Sequence, residues 1–244
     1  MINNSTREKI HNVLCSLLVV VGVFALSAYF FDFYYELNDD MVIKDILSGA
    51  YSGNPNGRTN QVLYPLGVII SLFYQLFSQM PIWGLFLCGC FGICFGMIVY
   101  RMEGYFQNRK VKIGVAILML TIFLALLLRE VIYVQYSVVC GLLAGTACFW
   151  FYTTPVECSM GEFWKENVPA LILCLVAFLV RSEMFLLMLP FVAVVGVLHW
   201  AENVKRQKDG YVGIGSKPIW KDIMSEKADC CFVVSSLSVF FLPA

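Results

Sequence analysis

Apolar residues fall in long unbroken runs along this chain, divided by short polar stretches. The first run, residues 13–31, contains no charged side chain. It is long enough for a helix to cross a hydrocarbon core of about 30 Å. Further runs occupy 62–80, 82–100, 113–128, 131–152, 168–180, 184–200 and 230–242. This pattern predicts an all-α polytopic membrane protein, a single transmembrane domain over residues 1–244. An "ALSA" sequence at 25–28 resembles a processing site, but the first run is long for a signal peptide and more spans follow, so an uncleaved first helix is expected.

The run 62–80 differs from the others. Pro65 stands where a first helical turn accepts proline. Tyr64, Tyr74 and Gln75 lie along the run, and Pro81-Ile82-Trp83 closes it. That mixed aromatic character suits a helix lying in the membrane interface. The distribution of positive charge supports this placement. With 62–80 at the interface and the N-terminus cytoplasmic, thirteen of the 17 Lys and Arg residues fall in inside segments. Only Lys44, Arg58, Arg129 and Arg181 remain outside. If the run crosses, the two counts exchange, against the tendency of cations to stay inside. The expectation is about seven transmembrane helices plus two outer juxtamembrane helices.

Two local features complete that topology. The run 168–180 is short and meets Arg181-Ser182-Glu183, read as an outer hairpin. One helix through 168–200 would bury Arg181 and Glu183 at about 2.5–3.5 kcal/mol each. The basic segment 201–229 is expected to be a cytoplasmic, headgroup-facing linker. The last run stops at Ala244 after about fourteen residues of apolar character, which suggests a truncated chain.

Composition agrees: 59% of residues are hydrophobic and 14% charged, against about 25% charged in soluble domains. The net charge of +0 gives no general attraction to nucleic acid. Most of the 10 cysteines sit inside apolar runs, as small hydrophobes rather than disulfide partners. Cys88, Cys90 and Cys94 lack zinc-site spacing and have no histidine nearby. "GYVGIGSK" at 210–217 reverses the Lys-Ser order of a phosphate loop and follows no strand. Gly92 with Gly96, and Gly141 with Gly145, are small-residue pairs expected to pack helices.

Candidate chemistry collects in the outer loop, 32–81. Val42, Ile43, Ile46, Leu47 and Ala50 repeat at helical spacing after Asn38-Asp39-Asp40. Asn38 suits an N-cap, and carboxylates in a first turn complement the helix dipole. Asp40 and Lys44 are spaced to pair. This reading accounts for the acids without chemistry. The alternative rests on convergence: the acids and the few outer cations end on one membrane surface, and interfacial ionisable groups are functional candidates. Arg129 with Glu130, and Arg181, are either snorkelling anchors or phosphate ligands.

The arrangement resembles the integral-membrane glycosyltransferases of the GT-C class, such as protein O-mannosyltransferases and the aminoarabinose transferases of lipid A. The matching features are Asn38-Asp39-Asp40 after the first span, the helix "MVIKDILSGAY", and "LYPLGVIISLFYQLF" leading to "PIWGLFLC". The loop is also similar to that of uncharacterised polytopic proteins of Gram-positive bacteria. The resemblance covers about residues 10–200 and implies a GT-C-like N-terminal half in a bacterial plasma membrane, with its active face extracellular. It implies sugar transfer from a polyprenyl-phosphate donor to an acceptor at the outer face. Asp39 would be the general base or, in metal-dependent members, a ligand of a divalent metal held with Asp40, which supports it. Arg129 and Arg181, with Lys44, Arg58 and Glu130 on the same face, would bind the lipid phosphate and stabilise the leaving group. The chain is shorter than such enzymes usually are. Two other classes stay open: a transporter or flippase-like protein for a lipid-linked or anionic substrate, and an inactive truncated membrane subunit.

Overall fold

The computed structural model describes residues 4–36, 38–105, 109–154 and 160–208. The described chain is mostly helical. Helix α1 (Asn4–Phe30) is followed by a two-residue strand β1 (Tyr34–Tyr35), helix α2 (Asn38–Ser48) and helix α3 (Tyr64–Leu76). Then come α4 (Ile82–Tyr105), α5 (Arg109–Ile122), a π turn (Phe123–Leu127), α6 (Leu128–Ile132) and β2 (Tyr133–Val134). The described chain ends with α7 (Tyr136–Thr153), α8 (Met160–Glu166), α9 (Val168–Val180) and α10 (Ser182–Lys208).

Among the described residues, 5 helical stretches are long and apolar enough to cross a membrane: Ile10–Phe30, Ile82–Met102, Lys110–Ile132, Tyr136–Thr153 and Ser182–Ala201. Helix α9 has 13 residues, about 20 Å at 1.5 Å per residue. The apolar run 230–242 lies outside the described residues. Large side chains such as Leu18, Ile117, Leu187 and Leu198 are exposed on the outer helix faces. Apolar surface on that scale suits lipid rather than water.

Helix α7 forms the centre and packs against α4, α9 and α10, while α1 packs on α4. Small residues set these distances. Ala144 and Ala147 of α7 and Ala170 and Ala177 of α9 are buried, and the Cys140 thiol donates to the Ala177 carbonyl at 3.5 Å. A Cβ at Gly92 or Gly96 would meet Val20 of α1, as expected for a packing pair. Gly141 and Gly145 are a correction: a Cβ at either meets nothing within 4 Å, so the alanines of α7 make the close contact instead. No disulfide joins the seven described cysteines.

Helix α3 runs across the end of the bundle. The amide of Leu63, just before it, donates to the Leu179 carbonyl near the end of α9 at 2.9 Å. Near its other end the Tyr74 hydroxyl accepts the Trp83 amide, in the first turn of α4, at 2.9 Å. Both anchors lie at the same end of the helix bundle, so α3 cannot run from one end to the other.

Two breaks differ from the sequence pattern. The apolar pattern suggested an interruption at Arg129 and Glu130, yet both sit in helix α6, which continues the helical path from α5. The chain becomes extended only at Tyr133–Val134, where β2 pairs in parallel with β1, Tyr34 opposite Tyr133 and Tyr35 opposite Val134. The expected hairpin at 181–183 narrows to Arg181, whose φ of −153° and ψ of 92° end α9, and Ser182 already begins α10. The basic segment expected from 201 as a linker begins as the last turns of α10, through Lys208.

Candidate functional site

The loop from β1 to α4 folds over the ends of α4, α7 and α9. Helix α2 buries Ile43 and Leu47 against this end. It stops at Gly49, whose φ of +81° is the left-handed conformation that suits glycine at a helix C-terminus. Farther on, Gly57 lies directly on the backbone of α3. A Cβ there would stand 2.5 Å from the Val68 nitrogen. The turn-rich segment is thereby fixed against α3.

The adjacent acids of α2 point to different surroundings. Asp39 is exposed, and its Oδ2 accepts from the Gln61 side-chain amide at 3.3 Å. Asp40 is 0% exposed. Its Oδ1 accepts from the Trp83 indole at 3.2 Å and from the Tyr136 backbone amide at 3.3 Å. Its Oδ2 is buried without a hydrogen-bond partner, as is the Tyr35 hydroxyl. Burial raises the Asp40 carboxyl from its ordinary 3.8 to about 7. The carboxylates of Asp39 and Glu36 add to the rise, and the hydrogen bonds from Trp83 and Tyr136 oppose it. Burial likewise pushes the Tyr35 hydroxyl up.

Lys44 does not pair with Asp40, as the spacing had suggested. Its ammonium lies 2.8 Å from Asp45, because Asp40 faces the interior and leaves no acceptor on the Lys44 side. Arg58 is exposed on the loop, where its backbone amide donates to the Asn56 side chain at 3.0 Å.

Arg181 reaches the end of α7. One guanidinium nitrogen donates to the Ser137 hydroxyl, and the guanidinium carbon lies 5.0 Å from the Tyr136 ring centre. A cleft of about 220 Å³ opens here, between residues 59–64 on one side and Arg181, Ser182 and Glu183 on the other. Gln61 lines it and joins it to Asp39; the Gln61 Oε1 is buried without a partner.

Arg129 belongs to a second group. Its guanidinium lies 3.0 Å from Glu36 and 3.5 Å from Glu130, beside the stacked rings of Tyr34 and Tyr133. The structure therefore places Arg181 and Gln61 on the cleft, with Asp39 linked to it through Gln61, and holds Arg129 and Glu130 with Glu36 beside the strand pair. Gln61, Ser137 and Tyr35 carry no sequence motif and became visible only through their contacts. Trp83 was visible in the sequence at the close of the run 62–80 and Tyr136 lay inside the run 131–152, both without their link to Asp40.

A divalent metal at the acid pair does not fit these donors. Hard cations of this kind take about six or more oxygens. Among the described residues no group of three or more His, Cys, Asp or Glu side chains is placed to hold one. Asp40 also spends one oxygen on two protein donors.

No protein-family profile, curated protein or solved structure matches the chain.

Proposed function

We propose that this protein is a membrane glycosyltransferase that moves a sugar from a polyprenyl-phosphate donor to a hydroxyl acceptor. The observation that supports it is the cleft with Arg181 on one wall and Gln61, tied to exposed Asp39, on the other. Its volume is below the ~300–1,000 Å³ of common ligand pockets, which suits a headgroup with the lipid tail left outside.

In this reading Asp39 takes the proton of the acceptor hydroxyl as its oxygen bonds to the anomeric carbon. The bond from the anomeric carbon to the phosphate oxygen breaks, and polyprenyl phosphate leaves with the electron pair. Arg181 donates to that phosphate. A guanidinium carries five N–H donors, so its bond to Ser137 leaves others for the ligand. Arg129, engaged by Glu36 and Glu130, is a weaker candidate than Arg181.

The same reading includes about seven spans, counting α9 and the run 230–242, in a bacterial plasma membrane. The end of the bundle bearing Asp39 faces outward. The excess of Lys and Arg on the segments at the opposite end supports that orientation.

The test is sugar transfer in membranes supplied with polyprenyl-phosphate hexoses and pentoses. Wild type is expected to transfer one of them, and Asp39→Asn to lose about 10²-fold or more, the usual range for a lost general base. Full transfer by Asp39→Asn would remove the catalytic role. Movement of the labelled lipid across the membrane, with Asp39→Asn active, would instead indicate a transporter.

A further inference from the structure

Asp39 and Asp40 are adjacent in sequence but do different work. Asp40 has no accessible atom, so it cannot touch a substrate in the cleft. What it does touch is the start of two spans. Trp83 belongs to the first turn of α4, and Tyr136 is the first residue of α7. The first amides of a helix have no partner within it. Gln135, at the N-cap of α7, makes no side-chain capping bond. Asp40, 96 residues away in sequence, supplies an acceptor to that helix from another element. A carboxyl oxygen at a helix N-terminus is favourable whether it caps from within or from outside.

The consequence lies one residue farther on. Tyr136 and Ser137 are the residues on which Arg181 rests. Asp40 therefore sits between Asp39, which Gln61 links to the cleft, and the platform of Arg181, which lines the cleft just past the end of α9. We propose that Asp40 is a positioning residue: as a hydrogen-bond acceptor to Trp83 and to the first amide of α7, it fixes the distance between Asp39 and the Arg181 platform. The function that this distance serves rests on the glycosyltransferase reading, whereas the distance itself is measurable without it.

The role requires an acceptor oxygen rather than a charge. Asparagine keeps the acceptor and places its amide where the unpartnered Oδ2 lies. Leucine has similar bulk and no acceptor. The full chain, with its native cysteines replaced, is given cysteines in place of Asp39 and of Ser137 on the Arg181 platform and treated in membranes with a short bifunctional thiol reagent. A second pair, in place of Asn12 and Lys112, reports on the other end of the bundle, where the Lys112 ammonium lies 3.5 Å from the Asn12 side-chain oxygen. Asp40→Asn is expected to keep the yield of both cross-links. Asp40→Leu is expected to lower the first by about fivefold or more, as two buried donors are left unpaired, and to keep the second. Loss of the first cross-link in Asp40→Asn to the same extent as in Asp40→Leu would overturn the proposal, and so would an unchanged first cross-link in Asp40→Leu.

If Asp40→Leu loses both cross-links, Trp83→Phe decides. It removes one donor and is expected to lower the first yield while keeping the second; an unchanged first yield would overturn the proposal. Sugar transfer by the same Asp40 variants then separates the two readings. Cross-links as expected in a protein without transfer leave the positioning role standing and remove the enzymatic one.

Discussion

A carboxyl with no access to water keeps its proton to a higher pH than an ordinary aspartate does. Asp40 ionises near its ordinary 3.8 in an unfolded chain and near 7 in the folded one. Between those values the folded protein binds the extra proton, so stability falls as pH rises through the window and levels off above it. The thermal unfolding midpoint of wild type in detergent is expected to fall between about pH 4 and pH 7. Asp40→Asn has no such proton and is expected to flatten that slope. An equal slope in both proteins would mean that Asp40 does not titrate there. The sequence showed the acid pair and its place at a helix start. It did not show that one acid turns inward, because that depends on Trp83 and Tyr136, which are distant in the chain. Lys44 illustrates the same limit: four-residue spacing permits a pair with Asp40, and burial of Asp40 leaves Asp45 as the available partner.

Helix α3 and the loop before it show what governs the elements of this end. Gly57 rests on the α3 backbone without room for a side chain. Gly57→Ala is expected to destabilise the loop by about 1–3 kcal/mol through overpacking, read as a lower unfolding midpoint and faster proteolysis between residues 49 and 63. Unchanged proteolysis would show that the contact does not hold the loop. Tyr74→Phe removes the acceptor of the Trp83 amide and is expected to cost about 1 kcal/mol by the same thermal measurement. That α3 differs from the spanning helices was legible in Tyr64, Pro65 and Tyr74, and the structure lays it across one end of the bundle. The end of α9 was legible as well, because Arg181 interrupts an otherwise apolar run. The break near 129–135 was not. Charge marked Arg129, but helix-forming neighbours carry the helix past it, and pairing of Tyr133–Val134 with β1 ends it. Gly141 and Gly145 mark a spacing that helix interfaces often use, yet the contact of α7 is made by its alanines.

At the scale of the molecule, a bundle of apolar helices presents polar side chains at both ends. The end built from the β1–α4 loop and the starts of α4 and α7 carries Asp39, the cleft and Arg181. The other end joins Arg101, Thr154, Asn167 and His199 by hydrogen bonds that tie α4, α7, the start of α9 and α10. Membrane character was legible throughout, since long apolar runs leave little else for the chain to be. The cleft was legible only as a gathering of charges on one face. The measurement that tests this account most directly is thiol labelling in intact cells, with single cysteines in place of Asn56, Lys110 and Lys165. Asn56 is at the end that carries Asp39; Lys110, in the first turn of α5, and Lys165, in α8 just before α9, are at the other end. The account predicts that the cysteine at 56 reacts with an impermeant reagent from outside, and that those at 110 and 165 react only after the membrane is opened. Labelling of all three from outside would mean that α3 crosses the membrane, and it would contradict an outward-facing site built from Asp39 and Arg181.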